Sequence, residues 1–245
     1  VEITGMDQEK TAAAPRQLRR WHIYHDPRDL VRHAQRAVVG AATEATARRG
    51  RFDLVISGGP VLQRLFRHFR ERRAGDDRWH IWFSDEYCLP PGHPGRNESV
   101  AGHVWLEHSG VPAGNIHGMP CEAAPEDAAG RYLESLAQVA TFDLVVLAMG
   151  ADGHTAALFP GHGLAEFEDA PDALAVHAPE PPHGRVTLSA CRLSRTRQLV
   201  LLVSGEDKRH AVSRWRSGQV ELPVGRLRPE HGIDVFADEG AIPGF

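Results

Sequence analysis

The stretch from Phe142 to His162 constrains what this chain can fold into more than any other segment. It opens with an unbroken apolar run, Leu144 to Met149, of the length and composition expected for a strand buried on both faces of a parallel sheet. The run then breaks abruptly into Gly150, Asp152, Gly153, His154 and Thr155. In open α/β sheets, ligands bind beyond the carboxyl ends of the strands, and this is such an end. Glycine lets the backbone come close to a ligand and adopt positive φ, which is the reason to count Gly150 among the site residues. Asp152 and His154, two residues apart, can face one crevice and act as an acid/base pair. The same spacing is compatible with a plain strand-to-helix turn carrying incidental polar residues.

Around this segment the chain alternates between strand-like and helix-like stretches. Trp21–Tyr24, Phe52–Ile56, Trp79–Phe83, Phe142–Met149, Leu174–His177, Arg185–Ser189, Gln198–Ser204 and Ile233–Phe236 read as strands. Helices are expected from about Pro27 to the Gly50 stop, over 60–73, from Asn97 to about His108, over 125–139, and from Gly205 onward. Strands alternating with helices call for a three-layer α/β/α fold around a mostly parallel, doubly wound, Rossmann-like sheet. Residues 1–18 are polar and Ala-rich without periodicity and read as a loose leader, and 19–245 as a single domain.

Composition excludes several classes. With 245 residues, 42% hydrophobic and 24% charged, the chain is long enough for a substantial core. A net charge of −4 carries no nucleic-acid footprint. No apolar run reaches the roughly 20 residues of a membrane span, and the charged first twenty residues hold no secretory signal. Three scattered cysteines fit a reducing compartment. A cytoplasmic protein is expected, with no nucleic-acid or membrane partner, as a monomer or small homo-oligomer.

Read as a motif, Gly150-Ala-Asp-Gly-His-Thr-Ala-Ala-Leu-Phe-Pro-Gly161 resembles the signature of the 6-phosphogluconolactonases, which belong to the wider family of the glucosamine-6-phosphate deaminases. The deaminase branch continues into an Asn-Glu-Pro segment. Here Ala157-Leu-Phe-Pro160 follows, as in the lactonase branch. Three further segments resemble the same family, so the likeness spans roughly residues 20–240. Ser57-Gly58-Gly59 lies between a strand and a helix, where backbone N–H groups and the helix dipole can hold a phosphate; tight turns also need glycine for structural reasons alone. Asp85-Glu86, continuing to Asn97, supplies either site carboxylates or plain capping residues, and Asn97 itself is equally an N-cap candidate. Arg185-Val-Thr and Gly205-Glu-Asp-Lys208 match segments that provide cations around the sugar phosphate in the family, so Arg185 and Lys208 are implied phosphate ligands.

The resemblance implies hydrolysis of 6-phospho-D-glucono-1,5-lactone to 6-phospho-D-gluconate, a step of the oxidative pentose phosphate pathway, without a cofactor. Water must lose a proton as it attacks the carbonyl, and the ring oxygen must gain one as it leaves. One histidine can do both in turn. His154 is the implied general acid/base, with Asp152 and Asp85 completing the catalytic set. Backbone N–H groups of the glycine turns are candidates to hold the developing oxyanion. No metal is expected, Asp152, His154 and His162 being a poor ligand set. Two segments depart from the pattern. Pro60 and Val61 stand where the family usually has small hydroxyl residues, and Tyr87 stands where it has an arginine. Arg64, Arg96, Arg192, Arg195 and Arg197 are the candidate compensating cations. These departures leave open a lactonase for an unphosphorylated or altered sugar lactone, and an inactive family member serving as a binding subunit.

Overall fold

The computed structural model describes residues 17–161, 163, 169–218 and 222–244. Its strands are β1 (Arg19–Tyr24), β2 (Phe52–Ile56), β3 (Trp79–Phe83), β4 (Asp85–Tyr87), β5 (Ile116–His117), β6 (Phe142–Ala148), β7 (Ala173–His177), β8 (Gly184–Leu188), β9 (Thr196–Val203) and β10 (Ile233–Asp238). Its α-helices are α1 (Pro27–Arg49), α2 (Pro60–Glu71), α3 (Asn97–Val104), α4 (Pro125–Leu136), α5 (Ala190–Ser194) and α6 (Arg209–Arg216). Seven strands form one sheet in the order β1-β10-β9-β6-β2-β3-β5, every neighbouring pair parallel. Helices cover both sides of this sheet, the three-layer arrangement expected from the sequence.

The apolar runs explain the order of burial. Leu144 to Leu147, Leu54 to Ile56 and Leu199 to Val203 are all buried, because helices on both faces leave a parallel strand no wet side. β6 is the middle strand, with three strands on either side. β2 and β6 both begin Phe-Asp-Leu-Val, and Leu54 pairs in register with Leu144. The two aspartates therefore stand together at the amino end of the sheet. The amide of Asp53 donates to Asp143 Oδ2 at 2.7 Å. Arg49 at the end of α1 bonds both carboxylates, Arg51 bonds Asp53, and Trp82 Nε1 donates to Asp53 Oδ1. This ion cluster ties α1 to the sheet's centre.

The boundaries of α1 follow from its ends. Asp26 caps it by accepting from the amides of Arg28 and Asp29, and Gly50 closes it in the left-handed conformation. Gln17 and Leu18, assigned from sequence to a loose leader, are anchored. Gln17 Nε2 donates to the carbonyls of Val224 and Leu227, and Ile233 N donates to Leu18 O. Residues 1–16 of that leader lie outside the described residues.

A second sheet was not expected. β4, β8 and β7 form a three-stranded antiparallel sheet in the order β4-β8-β7. It leaves the main sheet through Ser84, whose amide donates to Ile56 O and whose carbonyl accepts from Leu188 N. Asp85 and Glu86 are thus not the tip of β3 but the start of a new strand. In a strand, alternate side chains take opposite faces, and this separates the fates of these two neighbours.

Candidate active site

The turn after β6 is built to hold one imidazole. Gly150 N donates to His154 O at 2.8 Å and Gly153 N to Gly150 O at 3.1 Å, closing a tight loop. A Cβ on Gly150 would lie 2.1 Å from the His154 ring. Only glycine lets the imidazole lie against this backbone. Asp152 Oδ1 accepts from the His154 amide at 3.0 Å and from His154 Nδ1 at 2.6 Å. Burial would push the Asp152 carboxyl up, but the hydrogen bonds from the His154 ring and amide outweigh it and hold the group at about 2. A carboxylate accepting at Nδ1 fixes the tautomer with the proton there, leaving Nε2 as the free base. The ring leans on Phe159, 5.3 Å between centroids. Thr155 Oγ1 fastens the loop to Ala148 O. Because both glycine amides are spent inside the turn, the expected oxyanion donors are not found there. By contrast, the amides of Gly58 and Gly59 make no hydrogen bond among the described residues.

Asp85, Gly58 and Asn97 form the facing wall. Asn97 Nδ2 donates to Asp85 O at 2.9 Å and approaches Asp85 Oδ2 at 3.4 Å. A Cβ on Gly58 would sit 2.0 Å from Asn97 Oδ1, so the turn after β2 must be glycine for α3 to approach. Arg96, not Asn97, occupies the N-cap position of α3, and Asn97 braces Asp85 instead. Burial pushes the Asp85 carboxyl up, opposed by the Ser84 hydroxyl hydrogen bond and by Arg185 and His154 nearby. Arg185 and His154 are thus near enough to Asp85 for their charge to act on it. Ala157 N donates to Thr187 Oγ1, joining the loop after His154 to β8, the strand that carries Arg185.

One of the candidate substrate ligands, Glu86, falls outside this group. Glu86 is 0% exposed. Its oxygens accept from the amides of Tyr87, Asn97 and Glu98 at 2.7–2.8 Å, so it caps α3 and presents nothing to a ligand. Burial pushes its carboxyl up to about 7, against those three amides and Arg96. Glu86 alternates with Asp85 along β4, and a three-residue strand was too short to read from sequence. Lys208 stands at the exit of β9, the neighbour of β6, in a 3-10 turn, and its ammonium bonds Asp207 at 2.7 Å. Ser57 is buried just before the helix that starts at Pro60.

The compensating cations are largely committed elsewhere. Arg96 is 4% exposed on its side chain and bonds Met119 O and Glu98. Arg192 is buried over the Phe142 ring and bonds Val139 O. Arg195 pairs with Asp172, and Arg197 lies 3.6 Å from Asp143. Arg64 lies on the exposed face of α2. Val61 packs into the core. His162 lies outside the described residues. Among the described residues no cluster of three metal-ligating side chains occurs, and no helix is long and apolar enough to cross a membrane.

An open parallel sheet with an Asp-oriented histidine at the carboxyl end of its middle strand defines an α/β protein of the ligand-crevice class. The family model for glucosamine-6-phosphate isomerases/6-phosphogluconolactonase matches residues 25–236, and the chain belongs to that family. It is 32% identical over 224 residues to a 6-phosphogluconolactonase of Synechocystis, covering 86% of this chain and 92% of that protein. It is 33% identical over 226 residues to the GDH/6PGL endoplasmic bifunctional protein of Oryctolagus cuniculus, covering 86% of this chain but only 28% of that much longer relative. A crystal structure of a 6-phosphogluconolactonase from Thermotoga maritima superposes with a TM-score of 0.82 at 20% identity, covering 91% of this chain and 100% of that one. That likeness shows the shared fold.

Proposed function

We propose that this chain is a 6-phosphogluconolactonase, hydrolysing 6-phospho-D-glucono-1,5-lactone to 6-phospho-D-gluconate with His154 as general acid/base. The observation that carries the reading is the 2.6 Å contact between Asp152 Oδ1 and His154 Nδ1 over Gly150. Lactonase relatives that match over most of this chain support the substrate class.

In this mechanism Asp152 keeps the proton on Nδ1, so Nε2 takes a proton from water as the oxygen attacks the lactone carbonyl carbon. The resulting tetrahedral intermediate collapses by breaking the bond from that carbon to the ring oxygen. Nε2–H gives its proton to the departing oxygen, the histidine returns to its starting state, and the new carboxylic acid loses its remaining proton to solvent to give 6-phospho-D-gluconate. The free amides of Gly58 and Gly59, at the start of α2, and the Arg185 guanidinium are the groups that bind the phosphate. Asp85, braced by Asn97, borders the same recess and orients the sugar.

A second reading, a lactonase for an unphosphorylated sugar, is favoured by one observation: α2 opens with Pro60, which has no N–H, and with Val61 packed into the core, so no side chain there adds a donor. Hydrolysis of phosphorylated and unphosphorylated gluconolactone, measured side by side with spontaneous opening subtracted, separates the two. The first reading expects a higher kcat/KM for the phosphorylated lactone. Equal or reversed preference establishes the second, and no rate above the spontaneous one with either lactone removes both.

A further inference from the structure

We propose that Tyr87 is the positioning residue for recognition of the substrate's anionic end: its ring holds the Arg185 guanidinium flat and aimed into the recess. This rests on the lactonase reading above and adds to it the element that sets phosphate preference. Tyr87 and Arg185 are direct cross-strand partners in the β4–β8 pair, the arrangement in which side chains on one face touch. Arg185 Cζ lies 3.3 Å from the centre of the Tyr87 ring, the spacing of two stacked planes. Asp85 lies two residues before Tyr87 and so on the same face of β4, roughly 7 Å along the strand. Glu86, between them, is turned the other way under α3. Tyr87 and Arg185 therefore share the face of the β4–β8 pair that carries Asp85.

The state of Arg185 distinguishes it from the other cations named for this site, apart from Arg64 on the exposed face of α2. It forms no ion pair among the described residues, and its one side-chain hydrogen bond is from Nε to Pro182 O at 3.3 Å. Arg96, Arg192, Arg195, Arg197 and Lys208 all have carboxylate partners. A guanidinium stacked on an aromatic face keeps its N–H groups in its own plane, directed past the ring edge and free for a two-pronged bond to a phosphate. Stacking also removes the rotamer freedom that a long side chain would otherwise lose on binding, so the cation is set before the substrate arrives. Tyr87 has no part in the proton transfers.

Kinetics with both lactones and nuclear magnetic resonance of the Arg185 side chain test this together. Tyr87→Leu is expected to raise KM for the phosphorylated lactone about tenfold, the scale of one weakened charge-assisted contact. In that variant kcat should change by less than about twofold, as should KM for the unphosphorylated lactone. Tyr87→Phe keeps the stacking face and is expected to restore the wild-type KM. An unchanged KM in Tyr87→Leu, or an equal loss in Tyr87→Phe, overturns the proposal. The Arg185 Nε–H signal, assigned by its disappearance in Arg185→Lys, should be shifted upfield by the ring in wild type and in Tyr87→Phe, but not in Tyr87→Leu. It should move when inorganic phosphate is added to the wild type. A signal unshifted by the ring, or indifferent to phosphate, overturns the proposal even where neither lactone is turned over. The absence of turnover with a shifted, phosphate-responsive signal contradicts only the lactonase reading.

Discussion

His154 and Asp152 are two residues apart, and their partnership was legible in the sequence because a turn that short brings both side chains to one side. What Gly150 does was not legible there: the imidazole packs where its Cβ would be, a contact made by the fold of the turn. Asp152 gives a pH test with a definite sign. Its carboxyl is depressed from 3.8 to about 2, so it contributes stability above pH 3.8 that is lost as pH falls through about 2. The side chain is 50% exposed, so screening keeps that contribution below about 1 kcal/mol. The stability gap between wild type and Asp152→Asn, followed by chemical denaturation, should be constant above about pH 4 and close below it. A gap that widens on acidification would refute the assignment. The same variant is expected to lower kcat by about 10–100-fold, less than removal of the histidine itself, because the tautomer is no longer fixed.

Strand-scale features divide into those written in a single segment and those written in two. The buried runs at β2, β6 and β9 are each long enough to announce a parallel strand, and the helix ends at Asp26 and Gly50 follow their capping chemistry. The β4-β8-β7 sheet is different. β4 has three residues, and its partner strand begins about a hundred residues later, so no local pattern records the pairing. The faces of Glu86 and Tyr87 are set by that pairing, which is why the sequence leaves Glu86 open between a site carboxylate and a cap and shows Tyr87 only as a residue standing where the family has an arginine. The Asp53–Asp143–Arg49 cluster also depends on register, between β2 and β6. Asp143→Ala leaves the buried Asp53 amide and part of the Arg49 guanidinium without an acceptor. The expected cost is about 2–3 kcal/mol, or roughly 5–10 °C in Tm for a chain of this size. Because the cluster lies at the amino end of the sheet, KM should not change. A Tm within a degree of wild type would show that solvent replaces the lost acceptor.

On the scale of the whole molecule, the strand order makes the site. Placing β6 in the middle brings its carboxyl end beside the turn after β2, while the short second sheet folds Asp85 and Arg185 in from the side of β3. The turn that carries Gly58 and Gly59 and the turn that carries His154 thus follow neighbouring strands, though about a hundred positions separate them. The amino end of the same central strands carries the structural ions, opposite the end proposed for the chemistry. The most direct measurement of this arrangement is the rate of 6-phosphogluconolactone hydrolysis by wild type and His154→Ala, above spontaneous opening, with thermal melting recorded for both. The expected result is a kcat lower by roughly 10²–10⁴ in the variant with a Tm lowered by no more than about 2–4 °C, the loss of the Asp152 contact. Turnover equal to wild type in a folded His154→Ala protein would contradict the assignment of the acid/base group.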